Sequence, residues 1–164
     1  MGWFRKNRGE PVSGSPEPDP GAFGPPWQGR GLRLPAPPDA AHASENAQHF
    51  VDTVRAVDGV LLDYSTDSLQ WVDHMLDTFR TEGSDAMAET IFLAGCYVGE
   101  TMVRAHGFTW TDFDEITRPL LGFPFGVVAP RGSFANPVGK AFKRVDNGPG
   151  DDLGYFMHVM AEED

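Results

Sequence analysis

One run constrains this chain more than any other: residues 84–107, SDAMAETIFLAGCYVGETMVRAHG. It has few charges and no proline. Met87, Ile91, Phe92, Leu93, Ala94, Cys96, Tyr97, Val98, Met102 and Val103 place apolar or small side chains on almost every face of a helix. A helix that is apolar nearly all round belongs inside a packed domain. Ser84 suits its N-cap, Asp85 the positive end of its dipole, and Gly107 a left-handed stop. Gly95 and Gly99 lie four apart, so one face lets another backbone come close. The remainder of the folded chain reads as packing around this helix.

The chain in front of it divides near residue 40. Residues 1–40 hold nine of the fourteen prolines and seven glycines, without a periodic pattern. Such composition buries too little surface to offset chain entropy, and predicts a disordered tail. Its aromatics (Trp3, Phe4, Phe23, Trp27) stand among basic residues. MGWFRKNR at the start reads either as a short docking motif or as an untethered terminus. No apolar segment follows its charges, so a secretory signal is not expected.

Residues 41–164 read as one domain. A helix is expected from Ser44 to Val57, with Phe50, Val51, Val54 and Val57 as its apolar stripe and Gly59 past its end. Residues 60–62 are too short a run for a helix and read as an extended link. Ser65 or Thr66 caps a second helix over 67–81, with Leu69, Val72, Met75, Leu76 and Phe79 on one side and Asp67, Gln70, Asp73, His74, Asp77 and Arg80 on the other. So short a connection to residue 84 predicts that this helix is the antiparallel neighbour of the central one.

After Gly107 the period changes to alternation. Residues 108–112 and 123–129 read as strands, and 133–135 as a third strand returning from a turn at 130–132. The segment 113–122, with Asp114, Glu115 and Pro119, reads as a loop. Asn136 then caps a helix whose first residue is Pro137, with Val138, Ala141, Phe142 and Val145 as its stripe. A last short helix is capped by Asp151 or Asp152. The fold class is therefore α+β: three N-terminal helices around a buried central one, a small antiparallel sheet, and two short C-terminal helices.

The net charge of −11 lies wholly beyond residue 40, which holds eight basic and twenty acidic side chains. Such a surface repels nucleic acid and anionic lipid. No charge-free stretch is long enough for a membrane span. Cys96 is the one cysteine, so no disulfide is possible within the chain. It reads as a small core residue, and its presence fits a reducing, cytoplasmic setting.

Three stretches in this order resemble a family of uncharacterised actinobacterial proteins, a domain of unknown function. They are LDYSTDSLQWVD at 62–73, GCYVGE at 95–100 followed by Trp110, and NPVGKAFKRVDNG at 136–148 with the DDLGYF after it. The resemblance spans roughly residues 60–157. It implies a small α+β fold and brings no activity, cofactor or catalytic residue with it.

Glu100 is the most conspicuous charge, an acid inside the most apolar helix. A buried carboxylate must be paired, hydrogen-bonded or protonated. One reading pairs it with Lys140 or Lys143, forming a tie or the floor of a cleft with Asp63, Tyr64 and Trp110. The other is an exposed pair with Arg104, at i, i+4, worth about 0.3–0.5 kcal/mol. Asp73, His74 and Asp77, with Asp63 and Asp67 upstream, read either as ligands for a cation or as a solvated face. They match no known ligand spacing, so no metal or other cofactor is expected. Lys140, Lys143, Arg144 and Arg131 read as a basic patch for an anionic partner or as complements to a helix dipole. His106 ends the central helix and suits the same dipole role.

No clustered catalytic signature is present. The sequence therefore favours a non-enzymatic interaction or regulatory module, with a protein partner it does not identify. A ligand-binding protein or enzyme with an acidic cleft near Glu100 is the first alternative. An immunity-type protein, setting its acidic surface against a basic partner, is the second.

Overall fold

A computed structural model describes residues 32–162 of the chain. Six helices and one three-stranded antiparallel sheet make these residues an α+β domain. The fold begins earlier than composition implies. Leu32 and Leu34 pack on a core cluster. Ala36 is buried, and its N–H donates to Asn46 Oδ1 while Asn46 Nδ2 donates back to the Ala36 carbonyl. A buried asparagine must find such partners, and the preceding backbone at Ala36 and Pro37 supplies them. The expected tail is thus packed from Leu32 onward, and the rest of that expectation falls on residues 1–31, outside the described residues.

Helix α1 spans Ala43–Asp58 and is stopped by Gly59 in the left-handed conformation. Phe50, Val51 and Val54 are buried, but Val57 is 75% exposed. Residues 55–59 are all exposed, so the last turn runs past the core. Helix α2, Thr66–Thr78, starts at Ser65, whose side chain accepts from the Ser68 N–H. It ends three residues earlier than its pattern implies. It packs mainly on the two C-terminal helices and only lightly on the central one.

The central helix, α3, spans Ala88–His106. Ser84 does not cap it: residues 84–87 form turns, and Met87 holds the N-cap position without a side-chain bond. Asp85 and Ala86 are exposed, with no core to hold an earlier helical turn. From Ile91 to Met102 every residue except Leu93 is buried. Gly107 closes the helix at φ 72°, its N–H bonded to the Val103 carbonyl. Helix α3 lies chiefly against α1 and against α5, Pro137–Asn147.

The sheet has the order β1 (Thr109–Asp112), β2 (Phe125–Val128), β3 (Phe134–Ala135). Trp110 pairs with Val127, and Val127 with Ala135. Between β1 and β2 the expected loop contains a short helix, α4, Thr117–Leu121. Asp114 accepts from the N–H groups of Ile116 and Thr117 ahead of it. Pro119 sits in its first turn, where a missing N–H costs nothing. Helix α5 begins as its sequence implies, with Asn136 Oδ1 accepting from the Gly139 N–H at 2.7 Å. The last helix, α6, spans Leu153–Glu162, and Asp152 accepts from the Tyr155 N–H at its start.

Candidate functional site

Gly95 and Gly99 decide what can reach α3. A Cβ on Gly95 would lie 2.5 Å from the Val138 Cα, so α5 docks backbone-close at this point. A Cβ on Gly99 would overlap the Trp110 ring and lie 2.8 Å from Pro137 Cγ. The indole from β1 therefore occupies the space that the missing side chain leaves. That position brings Trp110 Nε1 to Glu100 Oε2 at 3.0 Å. Arg104 Nε donates to Glu100 Oε1 at 2.9 Å. Glu100 is 6% exposed, and each of its oxygens has a donor.

The pairing of Glu100 with Lys140 or Lys143 does not occur. Docking through Pro137 and Val138 leaves Lys140 turned to Asp151, with which it forms an ion pair. Lys143 is exposed. The Arg104 pair does form, but on the acid side it is buried: the side chain of Glu100 is 8% exposed and that of Arg104 49%. Hydrogen bonds to a buried charge are stronger than those of a surface pair.

Tyr64 joins the same group from the link between α1 and α2. Its φ is 63°, the left-handed region that a tyrosine rarely adopts. Its N–H donates to the Tyr97 hydroxyl at 2.8 Å, and its ring stacks on Tyr97 with centroids 4.7 Å apart. The Arg104 guanidinium lies 3.8 Å from the centroid of the Tyr64 ring. The Tyr64 hydroxyl is buried without a hydrogen-bond partner among the described residues. Burial pushes its pKa up to about 12, Arg104 opposing and Glu100 adding to the rise.

Asp63 turns away from this group. Its carboxylate accepts from the Ser65 N–H and from Ser68 Oγ at the start of α2. Those bonds from Ser65 and Ser68 hold its pKa at about 2. Of the six residues singled out in sequence, Tyr64, Glu100 and Trp110 thus meet around Arg104. Asp63 serves the α2 cap, and Lys140 and Lys143 belong to another face. The gathered set ties α3, β1 and the α1–α2 link together, with both oxygens of its one carboxylate already engaged.

A second polar cluster joins residues that the sequence reading places in separate groups. Arg144 is 4% exposed, although its spacing places it off the apolar stripe of α5. Its Nε and Nη2 donate to the two oxygens of Asp73, each at 2.9 Å, and its Nη1 to Asp77 at 2.8 Å. Asp73 Oδ1 also accepts from the Leu153 N–H, the first residue of α6. Burial pulls the Arg144 pKa down, but the bonds to Asp73 and Asp77 outweigh it and the net shift is upward. The bond from Arg144, before the opposing effect of desolvation, holds the Asp77 carboxyl below its ordinary value. Asp73 and Asp77 are ion-pair partners of Arg144 that clamp α2 to α5 and α6, Asp73 largely covered and Asp77 still 38% exposed. The available signal is spacing, since Arg144 lies three residues from Ala141 and seven from Pro137, both buried. Among the described residues no group of three or more His, Cys, Asp and Glu could hold a metal ion. Cys96 is fully buried, and burial pushes its thiol pKa up.

The outer surface supplies a different feature. Ile116 is 78% exposed, Leu120 55% and Phe134 47%. Ile116 and Leu120 stand four apart, at the start of α4 and within it. Arg118 Nη2 ties that helix to the Phe113 carbonyl, and Asn136 Nδ2 ties it to the Leu121 carbonyl. The Phe134 ring meets Phe113 edge-on at 5.6 Å. Asp112, Asp114 and Glu115, all exposed, run into this face. No helix among the described residues is long and apolar enough to cross a membrane. Comparison with protein-family models, curated proteins and solved structures found no match to this chain.

Proposed function

We propose that the protein is a non-enzymatic interaction or regulatory module, and that it meets its partner on the face formed by α4 and β3. The observation that carries this reading is the contrast between the two places. Around Glu100 the charges are engaged by Arg104 and Trp110. On α4 and β3, Ile116, Leu120 and Phe134 are exposed beside Asp112, Asp114 and Glu115. An apolar centre with charge at its rim is the anatomy of a protein interface. The acidic rim selects a partner segment that carries apolar and basic side chains together. The setting is the cytoplasm, and the kinship is with the uncharacterised actinobacterial family that the motifs at 62–73, 95–100 and 136–148 resemble.

Full-length protein and the double variant Ile116→Lys, Leu120→Lys, each immobilised in extract of the native host, test this. A protein retained by the first and lost by the second supports the reading. Equal retention by both removes this face as the interface. The immunity-type reading is favoured by the exposed rings of Phe134 and Tyr155 on a strongly acidic chain. It requires that the retained partner be basic and that binding suppress an activity of that partner.

A further inference from the structure

We propose that in the unbound protein the acid-flanked apolar face of α4 and β3 is occupied by the chain's own first eight residues. The proposal rests on the reading of that face as a docking surface and names its resident occupant. The chemistry matches on both counts. Residues 3–8, WFRKNR, join two large aromatics to three cations. The face joins Ile116, Leu120 and Phe134 to Asp112, Asp114 and Glu115. Aromatic and arginine side chains are the residues most enriched in interface anchors.

The point where the chain joins the domain also favours it. Leu32 and Leu34 pack on the cluster of Phe92, Phe123 and Phe125. The Ala40 N–H then donates to Asp112 Oδ1 at 2.9 Å. The incoming chain thus runs beside β1 and the acidic run that leads into α4. Residues 9–31 separate the basic aromatic segment from Leu32. The covalent limit of a stretch of this length is about 75–80 Å, long enough to span the domain. Tethering makes binding at the face intramolecular, which favours a weak site that the free peptide would leave empty. A partner with the same apolar and basic chemistry must displace the segment, which makes the module self-inhibited.

The test uses the full chain with Gly2→Cys carrying a nitroxide. Cys96 is fully buried, so the label goes to position 2. Broadening of methyl signals is read at Ile116 and Leu120, with the exposed Val57 and Leu61 as references. The expected result is loss of most of the Ile116 and Leu120 intensity, with Val57 and Leu61 retained. The triple variant Arg5→Glu, Lys6→Glu, Arg8→Glu on the same labelled chain should restore it. Equal broadening at all four residues overturns the proposal, as does broadening that survives the charge reversal. Labelled protein mixed with isotope-enriched, unlabelled protein covers the remaining case. If the broadening appears between chains, the occupant is a second copy's segment and the intramolecular assignment is wrong. None of these results depends on an outside partner, so failure here leaves the extract experiment on Ile116 and Leu120 to stand or fall by itself.

Discussion

Replacing Arg144 with alanine should be the most damaging single change on a polar side chain. The guanidinium makes three charge-assisted bonds, two to Asp73 and one to Asp77. The Arg144 side chain is 5% exposed and that of Asp73 14%. Removing one partner of a buried pair costs about 3–5 kcal/mol, mostly because the other charge stays desolvated. Water can reach Asp73 in part, which places the expected loss near the lower end, about 3 kcal/mol. In a domain of this size that lowers Tm by roughly 10 °C. Urea titration and calorimetry of the full chain measure it. Arg144→Lys keeps the charge but loses the planar fork, and should fall between wild type and alanine. Lys143→Ala, on the exposed side of the same helix, should stay within about 0.5 kcal/mol. A double-mutant cycle of Arg144→Ala with Asp73→Asn should show coupling of about 1–3 kcal/mol. If Arg144→Ala cost no more than Lys143→Ala, the clamp between α2, α5 and α6 would not exist in solution.

Three further outcomes follow from the same geometry. Gly99→Ala should destabilise, since its Cβ overlaps the Trp110 ring. Overpacking of this kind costs about 1–3 kcal/mol and outweighs the ~1 kcal/mol gained in helix propensity; a higher Tm would show that Trp110 does not sit there. Tyr64→Phe keeps the stack on Tyr97 and the Arg104 contact but removes a buried hydroxyl that lacks a partner. It should leave stability equal or raise it by up to about 1 kcal/mol, and a loss beyond that in urea titration would reveal a bonded hydroxyl. Asp63 has a lowered pKa of about 2 against 3.8 in the unfolded chain. Its contribution is therefore present above pH 3.8 and lost as pH falls toward 2. Asp63→Asn should flatten the acid limb of the stability curve in that window, and an unchanged limb would contradict the bonds to Ser65 and Ser68.

What is legible in the sequence is the local chemistry. Gly107 as a left-handed stop, Asn136 and Pro137 as a helix start, Ser65 as a cap and the narrow face at Gly95 and Gly99 all depend on a few neighbouring residues. Where a local rule has a tertiary competitor, it fails. Ser84 is a good cap, but Asp85 and Ala86 face solvent, and the chain reaches the core only at Met87, where the helix begins. Pro119 reads as a breaker, yet in a first turn it is neutral, and α4 stands where a loop is expected. The site divides in the same way. Arg104 is visible as a partner for Glu100 at i, i+4. Trp110 stands out as a candidate, but its bond to Glu100 depends on the notch at Gly99, which no local pattern connects to β1. Arg144 and Asp73 lie 71 residues apart. No periodicity within either helix says that those two faces meet, so Arg144 reads as part of a basic patch or a dipole complement, and Asp73 as a cation ligand or part of a solvated face.

Arg104 and Trp110 bind Glu100 into the fold, and the proposed interface is the separate apolar face of α4 and β3. The most direct measurement takes two variants, Glu100→Gln and the Ile116→Lys, Leu120→Lys pair, and reads Tm and partner retention on each. In Glu100→Gln one of the two carboxylate oxygens becomes an NH2 donor, so one of the N–H groups of Arg104 and Trp110 that bond the separate oxygens would face another donor. That change should cost about 1–3 kcal/mol of stability while retention at a permissive temperature persists. The α4 pair should leave Tm nearly unchanged and abolish retention. The reverse pattern, with Tm unmoved and retention lost in Glu100→Gln, would place the functional site at Glu100 and contradict the account.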